Sequence, residues 1–135
     1  MPTFVIGVEN NTIHIQVEIA LAEAQPSHRF VAKVDTGANV TAVTNRVVQT
    51  LGSPDPVSRG QYGTAGPQIV EANVYGLHVA VPVSAKSGET IFVQGGALTV
   101  FELPHQPTGY DVLLGMDFLK RFHITMWGGN FIMSN

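Results

Sequence analysis

The spacing of apolar and polar residues predicts a chain built mostly from β-strands. From Ile13 to Leu21 every second residue is apolar, and the positions between them are polar or small. Alternation with a period of two is typical of a strand with one buried face. Shorter alternating or apolar stretches predict further strands at residues 3–8, 30–34, 57–62, 68–74, 77–83, 91–93, 97–101, 112–114, 124–127 and 131–133.

Turn residues between these stretches predict how the strands connect. Turn signals at residues 9–11 and 25–27 join the first three strands, so a long N-terminal hairpin is expected. A glycine-rich tip at residues 63–67 predicts one further hairpin, and residues 128–130 predict another at the C-terminus. The alternation shifts past Gly76, which predicts a bulge or bend at that point.

A second glycine signal and a helical segment complete the middle of the chain. The pair Gly95-Gly96 is expected to break the region into two separate strands. Residues 45–51 have apolar side chains at helical spacing, with Thr44 as the expected N-cap and Gly52 as the stop. We therefore expect one short helix early in the chain.

The C-terminal third predicts a buried strand followed by a second helix. Residues 112–114 form an unbroken apolar run, which is typical of a strand buried on both faces. Residues 116–122 are long enough for about two helical turns, with Leu119 and Phe122 facing inward. The expected fold class is mostly β with one or two short helices, in a single domain spanning residues 1–135.

Composition limits the classes of function that are open to this chain. Its 135 residues suffice for one domain with a sizeable core. Charged residues make up 13% and the formal net charge is −3. No basic cluster exceeds the pair Lys120-Arg121, so nucleic-acid binding has little electrostatic support. The histidines lie in separate segments without ligand spacing, so no metal site is expected.

The absence of particular residues and segments narrows the classes further. The chain contains no cysteine, which excludes disulfides, zinc thiolate sites and cysteine nucleophiles. The N-terminus lacks the basic region and the long apolar run of a signal peptide. No apolar segment approaches the roughly 20 residues that a membrane helix needs. A cytoplasmic location is therefore the default expectation.

Two motifs separated by most of the chain carry the candidate chemistry. The strand at residues 30–34 ends in Asp35-Thr36-Gly37-Ala38, and Leu113-Leu114-Gly115 lies near the C-terminus. Asp-Thr-Gly alone is common turn chemistry. Together with the glycine-rich tip between them, and in this order, the motifs resemble the signature of the retropepsin-like aspartic proteases. The resemblance covers most of the chain, from about residue 31 to residue 122.

This resemblance implies both an architecture and a reaction. The implied fold is a single-lobe retropepsin-like closed β-barrel with one or two short helices. The implied reaction is peptide hydrolysis by two aspartates that share one proton and activate a water. Because this chain has one Asp-Thr-Gly and is too short for two lobes, the pair would come from Asp35 of two chains in a homodimer. The implied partner is a polypeptide substrate, and no cofactor is needed.

The resemblance also implies roles for the residues around Asp35. Thr36 would hydrogen-bond to its copy in the partner chain, Gly37 would let its amide reach the carboxylate, and Ala38 would leave room for substrate. Three residues would pack beneath this loop: Leu113, Leu114 and Gly115. Five residues would form a flap that closes over a bound peptide and excludes water: Tyr62, Gly63, Thr64, Ala65 and Gly66.

Some residues have an alternative interpretation. Met116 stands where viral enzymes usually have arginine, so the sequence is more similar to the cellular and bacterial members of the family. Asp117 is interpreted as a structural residue that interacts favourably with a helix N-terminus, and not as a catalytic one. Tyr62 fits a cleft-lining role as well as cross-strand packing. Trp127 fits the core or an interface.

Three functions remain open at the level of sequence. The first is an aspartic endopeptidase that cleaves polypeptides through an Asp35 pair. The second is a dimerisation or peptide-binding module that keeps the fold without turnover, since fold does not guarantee function. The third is a β-barrel that binds small molecules, in which the motif is coincidental. Oligomeric state and peptide cleavage would separate them.

Overall fold

The computed structural model describes residues 3–7, 12–63, 69–84 and 90–134. These residues form ten strands and two short helices. The strands are β1 (Thr3–Gly7), β2 (His14–Ala20), β3 (His28–Val34), β4 (Ala42–Val43), β5 (Ser58–Gly63), β6 (Ile69–Ser84), β7 (Thr90–Glu102), β8 (Val112–Leu114), β9 (His123–Trp127) and β10 (Asn130–Ser134). The helices are α1 (Asn45–Thr50) and α2 (Met116–Leu119). The prediction of a mostly β chain is confirmed.

Six of the strands close into a barrel. Their hydrogen-bonded order is β2-β3-β8-β4-β7-β6, and a further pairing of β6 with β2 completes the ring. The β3–β8 and β4–β7 pairs are parallel, whereas the other pairs in the ring are antiparallel. Strand β5 lies outside the ring, paired with the first part of β6. The predicted closed barrel is therefore confirmed, as is the pairing of β5 with β6.

The barrel interior is filled by the alternating apolar residues that the sequence indicated. Inward side chains of β2 are almost completely buried, and β3, β6 and β8 contribute in the same way. Fully burying an aliphatic side chain contributes about 1.5–3 kcal/mol, so this interior is the main source of stability. The largest fully buried side chains come from strands and helices alike: Phe118, Phe131, Ile19, Leu77, Leu114, Leu119 and Met133.

A second sheet holds the chain ends, with the order β1-β10-β9. Strands β9 and β10 form the predicted C-terminal hairpin, and Gly128 and Gly129 supply the positive φ angles of its turn, 58° and 77°. The expected N-terminal hairpin is only partly right: β2 pairs with β3, but β1 pairs with β10. A terminal strand pairs wherever a sheet edge lies, and local turn residues do not reveal that edge. The predicted turn at residues 9–11 lies outside the described residues.

Of the bulge or bend predicted at Gly76, the bulge is absent, and the predicted break at Gly95-Gly96 is wrong. β6 passes Gly76 with its ladder to β7 intact, and β7 is one continuous strand. The register shifts instead between Val79 and Ala80, which face Gly96 and Gln94, so Gly95 is the extra residue of a bulge. A bulge bends its strand, and the two longest strands must bend to close the barrel. The glycines therefore curve the strand without ending it.

The helices occur where the sequence predicted them, with two corrections. α1 follows Thr44, but the Thr44 side chain makes no capping hydrogen bond. Its hydroxyl donates to the carboxylate of Asp111 instead, at 2.9 Å. α2 has one turn and not two, because the amides of Arg121 and Phe122 bond to carbonyls only three residues back. This tighter spacing ends the α-helix before β9.

Trp127 is exposed, which excludes the core position that the sequence left open. No helix among the described residues is long and apolar enough to cross a membrane.

Candidate active site

Asp35 is presented by a tight loop at the end of a barrel strand. β3 pairs in parallel with β8, and the Asp35 amide continues that ladder by donating to the Leu114 carbonyl at 3.0 Å. The Gly37 amide donates to Oδ1 of Asp35 at 2.9 Å, and the Ala38 amide donates to the Asp35 carbonyl at 3.2 Å. Asp35 is half-buried, while Thr36 and Gly37 are exposed. The loop therefore orients one carboxylate oxygen and leaves the other free of protein hydrogen bonds among the described contacts.

Gly115 lies directly beneath this loop. A Cβ atom at this position would stand 2.5 Å from the carbonyl oxygen and 2.6 Å from the carbonyl carbon of Val40. Real Cβ atoms do not approach backbone so closely, so only glycine fits. The first amides of α2 then bond to the loop: Met116 donates to the Ala38 carbonyl at 2.8 Å and Asp117 to the Asn39 carbonyl at 3.2 Å. The loop thus satisfies helix donors that would otherwise lack partners.

A buried threonine and Asp117 fasten the loop to α2. Thr41 is fully buried, and its hydroxyl and amide donate to the two carboxylate oxygens of Asp117, at 2.7 and 3.0 Å. The same hydroxyl accepts the Gly115 amide at 3.1 Å, and Asp117 Oδ1 also accepts the Phe118 amide at 2.8 Å. Asp117 is structural, as interpreted from the sequence, but it acts through Thr41 and its own helix. The sequence interpretation missed Thr41; its one signal was a polar residue inside an apolar stretch.

A second carboxylate is bound in a similar way at the other end of β4. Asp111 is 7% exposed, and its Oδ1 accepts the Thr44 hydroxyl and the Gln106 side-chain amide, both at 2.9 Å. The guanidinium of Arg46 lies 3.5 Å from its Oδ2. A buried carboxylate needs such partners to offset the loss of hydration. Asp111 therefore has a structural role, in which it links the segment before β8 to Thr44 and Arg46 at the start of α1.

A groove of about 780 Å³ runs over the Asp35 loop. The loop and β8 form its floor, and β5 and β7 form its opposite wall. Among the described residues, Asp35 is the only acidic residue that lines it. Its lining consists of Asp35, Gly37, Ala38, Asn39, Val40, Ala42, Gln61, Tyr62, Gly63, Phe101, Leu103 and Leu113. Leu113 points into this groove and is only partly buried, so the expectation that residues 112–114 are buried on both faces fails there.

Tyr62 combines the two roles that the sequence left open. Its ring lines the groove and packs edge-on against Phe101, with ring centroids 5.4 Å apart. Phe101 lies on β7, which is not the strand that pairs with β5. The Tyr62 hydroxyl is buried and has no hydrogen-bond partner among the described residues. Burial raises the pKa of Tyr62 above its usual value of 10.0. A buried hydroxyl without a partner is costly, so this group destabilises the folded chain.

The remaining site predictions are placed only in part. Ala38 and Gly63 line the groove, and Leu114 is fully buried beneath it. Three predicted flap residues lie outside the described residues: Thr64, Ala65 and Gly66. Within the described part of the chain, no three acidic or histidine side chains gather closely enough to hold a metal ion.

Comparison with known proteins places this arrangement in a family. Residues 24–121 match the family described as "gag-polyprotein putative aspartyl protease". The matched segment contains the Asp35 loop, the strands β5, β7 and β8 that line the groove, and α2. No curated protein matches the sequence.

Solved structures show the same fold. A retropepsin-like aspartic protease from Rickettsia conorii gives a TM-score of 0.68 at 18% identity, over 98% of this chain and 89% of the other. The foamy viral protease-reverse transcriptase, solved with an RNA/DNA hybrid, gives 0.50 at 15% identity, over 84% of this chain and 12% of that one. Such low identities establish the fold alone, whereas the family match covers most of the chain. The chain belongs to the gag-polyprotein aspartyl protease family and has the retropepsin-like fold.

Proposed function

We propose that the protein is an aspartic endopeptidase in which two copies each contribute Asp35 to one active site, and that residues 1–135 act as one domain. The observation that carries this proposal is the hydrogen bonding of three described carboxylates. Asp111 and Asp117 are committed to buried threonines, whereas Asp35 faces the groove with one oxygen unbound. One free carboxylate is half of what the reaction requires.

The chemistry explains why two copies are needed. Peptide hydrolysis uses one carboxylate to take a proton from water and one carboxylic acid to protonate the amide. Two carboxyl groups about 3 Å apart cannot both ionise, so an adjacent pair holds a single proton and can do both. The activated water attacks the carbonyl carbon, and the shared proton ends on the leaving amine. The exposed Thr36 and Gly37 leave this face of the loop open to a second copy.

The groove supports a polypeptide as the substrate. Its floor and wall carry apolar side chains from Ala38, Val40, Leu103 and Leu113, which suit apolar substrate side chains. The predicted flap, which begins at Gly63, would cover the bound peptide and exclude water.

The direct test is cleavage of a diverse peptide mixture by Asp35→Asn beside the unchanged protein. We expect cleavage to be lost, because asparagine can neither accept nor share the proton. Asp55→Asn is the matched control, since Asp55 is exposed and lies in a loop away from the groove lining. Equal cleavage by Asp35→Asn and the unchanged protein would remove Asp35 from the mechanism.

A mixing experiment tests whether the site is shared between chains. The unchanged protein is unfolded and refolded with an equal amount of Asp35→Asn, so that chains combine at random. If activity needs Asp35 from both chains, activity falls to about half, because half of the active chains pair with inactive ones. Mixing with Asp55→Asn should not reduce it. An unreduced rate with Asp35→Asn would mean that each chain acts alone.

Inhibitor binding distinguishes the non-catalytic alternative. A pepstatin-like inhibitor that binds the protein without any detectable peptide cleavage would favour a peptide-binding module on this fold. A strict monomer at high concentration would favour the small-molecule binder, because a lone Asp35 has no partner carboxylate.

A further inference from the structure

Strand β5 forms one wall of the groove but has little attachment to the barrel. Among the described strands it pairs only with the first part of β6, and none of its six residues is fully buried. Its described side-chain hydrogen bonds, from Arg59 to Asn73 and from Gln61 to Glu71, are exposed. Because a two-stranded hairpin is only marginally stable in water, the place of this wall depends on contacts from the barrel.

The ring of Phe101 supplies such a contact. Phe101 lies on β7, and its ring reaches past β6 to β5. A Cβ atom at Gly60 would stand 2.6 Å from Cε1 and 3.1 Å from Cζ of this ring. The same ring packs edge-on against Tyr62, with centroids 5.4 Å apart and an interplanar angle of 70°. The ring therefore fills the space that a side chain at position 60 would need.

The backbone of Phe101 belongs to the floor of the groove. Its amide donates to the Thr41 carbonyl at 3.1 Å, and Phe101 pairs with Ala42 in the parallel β4–β7 ladder. Thr41 in turn binds Asp117 and so holds the Asp35 loop on α2. Phe101 is thus fixed to the floor through its backbone and contacts the wall through its side chain.

The contact between Phe101 and Tyr62 joins two strands, β7 and β5, that are not paired with each other. Of the ring contacts in the described part of the chain, it is the one that involves β5. An aromatic pair of this geometry stabilises a contact beyond the area that it buries. Both rings also line the groove, so a change in their packing changes the shape of the groove directly.

We infer that Phe101 is a positioning residue, whose ring sets the distance between the β5 wall and the Asp35 floor. This inference rests on the proposed function, because it concerns the groove in which the peptide would be cleaved. The Phe101 side chain has no group that can take up or release a proton, so it acts through the wall that it supports. Replacing the ring should therefore change how tightly the groove binds peptide and leave the chemistry at Asp35 unchanged.

The kinetics of Phe101→Leu separate positioning from general stability. Leucine keeps an apolar side chain but lacks the ring atoms that meet Gly60. The wall contacts the peptide equally before and during the reaction, so its displacement should raise KM and leave kcat unchanged. We expect KM to rise about tenfold, the most that an aromatic pair commonly contributes. A purely structural role would instead lower the amount of folded enzyme, which lowers the apparent kcat and leaves KM unchanged, and this result would overturn the inference.

Phe122→Leu is the matched control. Phe122 is also partly buried, and its ring contacts Phe118 with centroids 5.0 Å apart, but it does not line the groove. Its replacement should leave KM unchanged. Circular dichroism checks that both variants fold. An equal rise in KM for the two variants would overturn the inference.

Gly60→Ala tests the same contact from the other strand. Its methyl group would press on the Phe101 ring, so this variant should also raise KM. When Gly60→Ala is combined with Phe101→Leu, the methyl group meets no ring, and KM should be no higher than in Phe101→Leu alone. A KM of the double variant that equals the product of the two single effects would mean that the two residues act independently, and it would overturn the inference.

Amide hydrogen exchange tests the wall without any substrate. Exchange in residues 58–63 should be about tenfold faster in Phe101→Leu, whereas Phe122→Leu should leave it unchanged. An unchanged exchange rate in Phe101→Leu would overturn the inference. The two proposals therefore fail in different ways. Faster exchange in a protein that cleaves no peptide would remove the proposed protease activity and leave the support of the wall by Phe101 standing, and peptide cleavage with an unchanged KM in Phe101→Leu would do the reverse.

Discussion

The floor of the groove and its β5 wall are held in opposite ways. On the floor, Thr41 is fully buried, and its hydroxyl both donates to Asp117 and accepts from Gly115. On the wall, none of the six residues of β5 is fully buried. Its side-chain hydrogen bonds are exposed pairs, from Arg59 to Asn73 and from Gln61 to Glu71.

This difference follows from what each region has to do in the proposed reaction. A carboxylate that activates water must be held in its reactive geometry before substrate arrives, which requires satisfied and buried supports. A wall that receives different peptides needs less fixed support, and its Tyr62 hydroxyl has no partner among the described residues. The hydrogen bonds that support the floor are buried, whereas the side-chain hydrogen bonds of the β5 wall are exposed. The predictions below test this contrast, from the largest expected effect to the smallest.

The largest effect is expected from a single methyl group on the floor. Gly115→Ala would place a carbon 2.5 Å from the Val40 carbonyl oxygen, so backbone must shift. We expect a loss of about 3 kcal/mol in the free energy of unfolding, measured with urea. Gly76→Ala is the matched control, since nothing lies within 4 Å of that position. Equal stability of the two variants would mean that the floor can relax.

Replacing the two buried threonines on either side of β4 distinguishes support of the candidate site from support of the fold. Thr41 and Thr44 are both completely buried, and each donates to an aspartate. Replacing either with valine leaves buried polar groups unpaired and should cost about 1–3 kcal/mol in unfolding free energy. Only Thr41→Val should also lower kcat for the proposed peptide cleavage, because only Thr41 fastens the Asp35 loop. If Thr44→Val lowered kcat equally, the geometry of the Asp35 loop would not depend specifically on Thr41.

Two tyrosines should respond with opposite sign to the loss of a hydroxyl. The Tyr62 hydroxyl has no partner among the residues that the structure describes, whereas the Tyr75 hydroxyl donates to Glu102 at 3.2 Å. Tyr62→Phe should therefore raise the free energy of unfolding by up to about 1 kcal/mol, and Tyr75→Phe should lower it by about 1 kcal/mol. Urea unfolding at neutral pH measures both. Destabilisation by Tyr62→Phe would show that the hydroxyl has a partner in solution.

The smallest effect is expected at alkaline pH. Burial, and then the negative charge of Glu102, raise the pKa of Tyr75 above 10.0, and burial raises that of Tyr62. Above about pH 10 the folded chain holds these protons while the unfolded chain releases them. This stability is therefore complete below pH 10 and is lost as pH rises through the folded pKa values. Tyr75→Phe should flatten the loss in urea unfolding followed from pH 9 to pH 11; an unchanged slope would contradict it.

Local sequence patterns predicted much of the fold because strands and tight turns are set by residues that are close together in sequence. The alternation around Ile19 and the apolar run ending at Leu114 led directly to strands, since one buried face demands a period of two. The Asp35 loop was equally accessible, because Asp, Thr and Gly in this order form a turn whose hydrogen bonds lie within four residues.

Long-range partners were not accessible in this way. Thr41 and Asp117 are 76 residues apart in sequence, and Thr44 and Asp111 are 67 apart. Thr44 was therefore predicted to cap its own helix, which is the local option for its hydroxyl. In the folded chain the Thr44 hydroxyl donates to the Asp111 carboxylate and accepts no amide of its helix. Leu113 was predicted to be buried for the same reason, since an apolar run does not show that one face opens into a groove.

The sequence by itself determined that the chain is mostly β, that Asp35 ends a strand in a glycine turn, and that a glycine follows the apolar run near the C-terminus. These properties follow from side-chain periodicity and turn chemistry. Only the tertiary structure decided that Gly115 lies against Val40, that β1 joins β10, and that Asp117 binds Thr41. Barrel closure brings distant segments together, and that closure depends on packing of the whole chain.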